Sequence, residues 1–142
     1  MRPPDRDPGL APYPPDPSDA TLGSMQGVLL VDDHAEFRAF ARGLIISAGY
    51  VVIAEAADGS AALSAADLHH PEIVVLDIRL PDMSGLDVAR RLKAGPNPPV
   101  VILISSGDQR DYEQVAREAG ARGFIAKADL TAAALRVLAD RP

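Results

Sequence analysis

The stretch VVLDIRLPDMSG, residues 74–85, decides how the rest of the chain is read. A run of apolar, β-branched residues stops on a carboxylate, Asp77, and a proline and a glycine-bearing turn follow at once. An unbroken apolar run of this length leaves no polar face for water. It suits a strand buried on both sides, as in a parallel sheet covered by helices. The residues after it, GLDVARRLKA at 85–94, carry helical spacing. Strand, turn and helix form the unit to look for elsewhere.

The unit recurs along the chain. GVLLVDD at 27–33 reads as a first strand, and Phe37, Phe40, Ala41, Leu44, Ile45 and Ala48 then follow helical spacing, with Gly49 placed to end that helix. YVVIAEA at 50–56 is a second strand, and 60–70 a second helix with Ser60 as its N-cap. EIVVLD at 72–77 is the third strand and VVILIS at 100–105 the fourth, reached through the turn GPNPP. A helix over about 111–119, a fifth strand RGFIAK at 122–127 and a last helix over about 130–139 complete the series. Five β–α repeats predict an α/β fold with a doubly wound, five-stranded parallel sheet. The first, third and fourth strands are the most apolar and belong in its centre. Nothing remains for a second domain.

The chain has 142 residues, 47% hydrophobic and 24% charged, which suits one globular core. Its formal net charge of −6 and lack of a Lys/Arg cluster argue against direct nucleic-acid binding. There is no cysteine, so disulfides, thiolate metal sites and thiol catalysis are excluded. No apolar run approaches membrane-spanning length and no secretory pattern opens the chain, so a cytoplasmic location is the expectation. Pro3, Pro4, Pro8, Pro12, Pro14, Pro15 and Pro17 crowd the start, out of 13 prolines in all. They predict an extended, disordered tail over 1–25 ahead of a folded unit at 26–142, a proline-rich ligand for a partner domain being the alternative.

In a doubly wound sheet, ligands bind outside the carboxyl ends of the strands. The first strand ends in Asp32 and Asp33, the third in Asp77, the fourth in Ser105 and the fifth in Lys127. Each has a plain explanation alone. Asp32 or Asp33 caps the helix starting near Ala35, Asp77 serves the turn, Ser105 satisfies a loop amide, and Lys127 is a solvated charge. Together they point to one site. Carboxylates converging on a rim repel one another unless a cation neutralises them, and Mg²⁺ suits such an oxygen donor set. A lysine and a hydroxyl beside them fit the stabilisation of a phosphoryl group, with Asp77 as a nucleophile able to carry it.

The blocks LLVDDHAEFR, VVLDIRLPDMSGLDV, VILISSGD and GARGFIAKADL resemble those of the response-regulator receiver domain of two-component signalling, over roughly residues 27–139. The resemblance implies a flavodoxin-like (βα)5 fold with strand order 2-1-3-4-5, a regulatory protein rather than an enzyme, and Mg²⁺ as cofactor. It implies that Asp77 accepts a phosphoryl group from a sensor histidine kinase or histidine phosphotransfer protein. Asp32, Asp33, Asp77 and the backbone carbonyl of Arg79 would hold the metal, and Asp33 is the more direct ligand of the acidic pair. Lys127 and Ser105 would bind the phosphoryl group. Ser105 and Phe124 would form the switch, Phe124 turning inward on phosphorylation, and the face of the fourth helix, fifth strand and last helix would carry the signal to a downstream protein. Tyr112 either lies on that face or is a plain surface tyrosine. A phosphorylation-dependent homodimer is a further partner the family allows.

Departures from the family pattern are few. Ala128 stands where many relatives have proline, Phe124 lacks a hydroxyl, and counting forward along the fourth strand offers Ile104 in place of Ser105. Gly107 leaves the phosphoryl group open to water. An aspartyl phosphatase or dehalogenase is disfavoured because Arg79 stands where such enzymes carry a second aspartate. No P-loop or dinucleotide fingerprint is present. With Pro142 following the last helix, a stand-alone receiver is the expectation. A binding module working without phosphorylation, or the receiver part of a transcriptional regulator, are the alternatives.

Overall fold

The computed structural model describes residues 25–107 and 112–140. The tail expected over 1–25, Met25 apart, and the expected helix start at Asp111 lie outside the described residues. Five parallel strands, β1 (Gly27–Val31), β2 (Val51–Ala56), β3 (Ile73–Asp77), β4 (Val100–Ser105) and β5 (Gly123–Ala126), form one sheet in the order β2-β1-β3-β4-β5. The helices among the described residues are α1 (Ala35–Ser47), α2 (Gly59–His69), α3 (Gly85–Lys93), α4 (Tyr112–Glu118) and α5 (Ala132–Ala139), with a 3-10 turn at Lys127–Asp129. The three most apolar strands are the central ones, as their composition predicts.

Alternation along the strands explains their unbroken apolar character. Leu29, Val31, Val74, Leu76, Val101 and Leu103 face one way and pack with Ala62, Val88, Ala89 and Ala116 of α2, α3 and α4. Val28, Leu30, Ile73, Val75, Ile102 and Ile104 face the other way and pack with Ala41, Ile45 and Leu135 of α1 and α5. Both faces are therefore dry. The edge strand β2 is half-exposed, Ala54 and Ala56 meeting the first of these cores and Val52, beyond a register irregularity opposite Val28 and Leu29, the second. Among the described residues no helix is long and apolar enough to cross a membrane.

One helix start differs from expectation. Asp58, not Ser60, caps α2, its carboxylate accepting from the Ala61 amide at 2.7 Å. The amides of Gly59 and Ser60 are instead taken by Asp82, at 2.7 and 2.9 Å, from the loop after β3. That contact holds the Asp82 carboxyl below the usual carboxylate range. At α1 the N-cap position is His34, and no side chain caps it, so neither Asp32 nor Asp33 is used as a cap. Gly49 does end α1, at φ +102, where a side chain would be strained.

The two ends of the second core are tied by Tyr50, whose hydroxyl donates to Asp140 at 3.0 Å. Burial and the Asp140 carboxylate push its phenol from 10.0 up to about 12. Stability from this contact is complete below pH 10.0 and is lost as pH rises through about 12. We predict that Tyr50→Phe lowers neutral-pH stability by about 1 kcal/mol. Its denaturation midpoint should also fall less steeply than the wild type's over that alkaline window.

Candidate functional site

Strand register carries the polar residues to one rim. Val31 pairs with Leu76, so Asp32 and Asp77 come next along neighbouring strands. Asp77 pairs with Ile104 and Ser105 with Ala126, so Ser105 and Lys127 stand one step further on. Ile104 is fully buried in the core on the α1/α5 side and offers no donor, leaving Ser105 as the hydroxyl at the rim.

The lysine holds the rim together. Its ammonium lies 2.6 Å from Asp32 Oδ2 and 3.0 Å from Asp77 Oδ2. It also sits over the Phe37 ring, 4.4 Å from the centroid, which excludes water from one side and attracts the cation. Lys127 is therefore no solvated charge. Asp77 Oδ1 accepts from the Arg79 amide at 3.0 Å, and Asp32 Oδ1 from the His34 amide at 2.8 Å. Arg38, itself paired with Glu55, donates to the Asp32 carbonyl at 2.5 Å.

The turn that follows Asp77 explains the opening stretch. The Gly85 amide donates back to the Ile78 carbonyl at 2.7 Å, and Arg79 bridges Ser84 across the loop. A side chain on Gly85 would collide with the Asp77 carbonyl oxygen and the Ile78 Cα at 2.8 Å. Only glycine lets the chain pass so close and start α3 with its Ser84 cap. The loop thus folds tightly against the strand end while leaving the Asp77 carboxylate directed at Lys127.

Asp32, Asp77 and Ser105 are the buried polar residues of the described chain. Burial opposes ionisation of Asp32, but Lys127 and the His34 amide outweigh it, and its carboxyl is held below the usual range. Burial pushes the Asp77 carboxyl above its usual range, and the Asp32 charge adds to this against the pull of Arg79 N–H and Lys127. Burial would lower the Lys127 ammonium, but the two carboxylates raise it, so it stays charged. One lysine cannot balance this acidic set. Carboxylate oxygens of Asp32, Asp33 and Asp77 and a ring nitrogen of His34 all lie within 4.8 Å of one another. Two like charges about 4 Å apart repel by about 4 kcal/mol even at an effective dielectric of 20. Asp32 Oδ2 has the Lys127 ammonium as its counter-charge, and three clustered carboxylates still outnumber that one cation. Such a set of hard oxygen donors fits a divalent cation such as Mg²⁺.

Ser105 Oγ accepts from the Gly107 amide at 3.2 Å, which leaves its own proton free. A side-chain carbon at Gly107 would stand 3.7 Å from Ser105 Oγ, from the Arg79 guanidinium and from Tyr112. Phe124 is buried, 7% exposed, with its ring 5.3 Å from that of Tyr112 at 43°. Four residues that shape the rim, His34, Phe37, Arg38 and Asp82, were not singled out from sequence. Phe37 carried only a helical-core signal, and the other three carried none beyond lying in the quoted blocks.

The comparisons agree with this geometry. The family model described as response regulator receiver domain matches residues 28–137. The transcriptional regulatory protein PdtaR of Mycobacterium tuberculosis is 33% identical over 110 residues, 78% of this chain and 53% of that protein. The chemotaxis protein CheY of Thermotoga maritima is 37% identical over 101 residues, 70% of this chain and 83% of that protein. Among solved structures, the signal receiver domain of the response regulator NarL from Mycobacterium tuberculosis superimposes with a TM-score of 0.72 at 34% identity, covering 82% of this chain and 98% of that one. CheY in the CheX-CheY-BeF3-Mg complex from Borrelia burgdorferi gives a TM-score of 0.72 at 29% identity over 80% of this chain and 85% of that one. The chain belongs to the response regulator receiver domain family. It spans about half the length of several curated relatives it matches.

Removing the central cation exposes its role. In Lys127→Met the Asp32 carboxyl should rise out of its depressed range, since burial then acts unopposed by the ammonium. NMR titration of carbon-13-labelled aspartates checks this; an unmoved Asp32 would show that Lys127 does not hold it.

Proposed function

We propose, from that membership, that residues 26–142 form a receiver that takes a phosphoryl group on Asp77 from a phosphohistidine of a sensor histidine kinase or phosphotransfer protein. The observation carrying this is Lys127, whose ammonium bridges Asp32 Oδ2 and Asp77 Oδ2 at 2.6 and 3.0 Å. A carboxylate oxygen of Asp77 attacks phosphorus as the P–N bond breaks, and the released imidazole takes up a proton. The Asp77 carboxylate thereby becomes an acyl phosphate. Lys127 then faces phosphoryl oxygens as well as Asp32. Ser105, accepting from Gly107 N–H, donates its free proton to the same group.

Asp32, Asp33, Asp77 and the Arg79 carbonyl are the residues that would hold Mg²⁺. When bound, the ion supplies positive charge against the phosphoryl oxygens. Water attack on phosphorus would return Asp77 to its free form, so the protein assists its own dephosphorylation. Signal output would run through the face of α4, β5 and α5 to a downstream protein in the cytoplasm, with a homodimer as one form of that contact. The burial of Phe124 against Tyr112 favours a second reading, in which this face binds its target without phosphorylation.

Incubation with Mg²⁺ and acetyl phosphate should add one phosphoryl mass to the wild type and none to Asp77→Asn. A phosphoryl group added equally to both would overturn the assignment. Amide spectra that stay unchanged over α4, β5 and α5 after phosphorylation would select the second reading. At Gly107 there is room for a side chain beside Ser105. Gly107→Leu should shield the phosphoryl group and slow its loss several-fold, measured by decay of the phosphorylated mass; an unchanged decay would contradict the shielding account.

A further inference from the structure

The imidazole of His34 caps no helix and faces the acidic pair. It occupies the N-cap position of α1, at φ −99 and ψ 110, yet its side chain caps nothing. Its backbone amide is held by Asp32 Oδ1 at 2.8 Å, which fixes where the ring begins. Ring nitrogen Nδ1 then lies 3.3 Å from Asp32 Oδ1 and 3.1 Å from Asp33 Oδ1. The ring is 70% exposed, with Nδ1 turned towards both carboxylates.

These separations are those of neighbouring ligands on one ion. Donors bound at about 2.1 Å at right angles stand about 3 Å apart. Alongside, three clustered carboxylates, that of Asp32 wholly buried, face one ammonium, Lys127 at 2.6 Å from Asp32 Oδ2, so the set still carries excess negative charge. An all-oxygen set favours Mg²⁺, whereas an imidazole nitrogen is of borderline softness and favours first-row transition ions, rising from Mn²⁺ through Co²⁺ to Ni²⁺.

We propose, resting on the receiver reading above, that His34 Nδ1 is an additional ligand of the cation site and shifts its preference from Mg²⁺ towards first-row transition ions. The ligand class is a divalent ion of borderline softness, bound by Asp32, Asp33, Asp77 and His34 together. His69 and His70, the other histidines of the three in the chain, precede β3 at the opposite end of the sheet and cannot serve.

Electron spin-echo spectroscopy of the Mn²⁺-loaded protein, with calorimetry of Mg²⁺ and Co²⁺ binding, tests this in the wild type and His34→Ala. Nitrogen-14 modulation should be present in the wild type and absent in the variant. The Co²⁺/Mg²⁺ affinity ratio should fall roughly tenfold while Mg²⁺ binding is kept, which also shows that the variant is folded. Mg²⁺ and Mn²⁺ binding without nitrogen modulation in the wild type would overturn the role of His34 and leave the receiver reading intact. Failure of the wild type to bind any of the three cations would overturn both.

Discussion

The contact on which the rest depends is the Lys127 ammonium set between Asp32 Oδ2 and Asp77 Oδ2. Two carboxylates with almost no solvent exposure would not both remain charged without it. Phe37 beneath the ammonium and Arg38 on the Asp32 carbonyl hold the two sides in place. The result is an asymmetric pair. Asp32 is held ionised, while Asp77, pushed upward by burial and by its neighbour, is the oxygen with most to gain from an arriving positive or electrophilic centre.

The fold serves this contact by parity and register. Apolar residues on both faces of β1, β3 and β4 fix these strands in the dry centre, and register then leaves no choice about which residues emerge at the rim. Gly85 lets the loop after Asp77 turn back against the strand end, and Asp82 in that loop anchors the start of α2. Site and scaffold therefore share residues: a change in the loop reaches both the Asp77 carboxylate and a neighbouring helix.

Much of this was legible because it is periodic. Doubly buried strands announce themselves as unbroken apolar runs, and their final polar residues follow by position alone. What escaped the sequence depends on contacts between distant segments. Ser60 and Asp58 are both good caps, and the choice between them is made by Asp82, 22 residues after Ser60, which occupies the Ser60 amide. Phe37 has the spacing of a core residue and only the docking of α1 over the rim places it beneath Lys127. Phe124 packs against Tyr112 from a separate segment, a contact no local pattern encodes.

The central claim is that the clustered carboxylates strain the fold until a cation joins them. An acid whose folded-state pKa is raised costs stability once pH exceeds that value, and Asp77 is such a group. The direct measurement is the thermal midpoint of wild type and Asp77→Asn at neutral pH, with and without Mg²⁺. The account predicts that without Mg²⁺ the variant melts above the wild type, since asparagine keeps the acceptor for Arg79 N–H and removes the repelling charge. It also predicts that Mg²⁺ raises the wild-type midpoint by mass action and raises the variant's far less. A variant that melts below the wild type, with a wild-type midpoint indifferent to Mg²⁺, would contradict it.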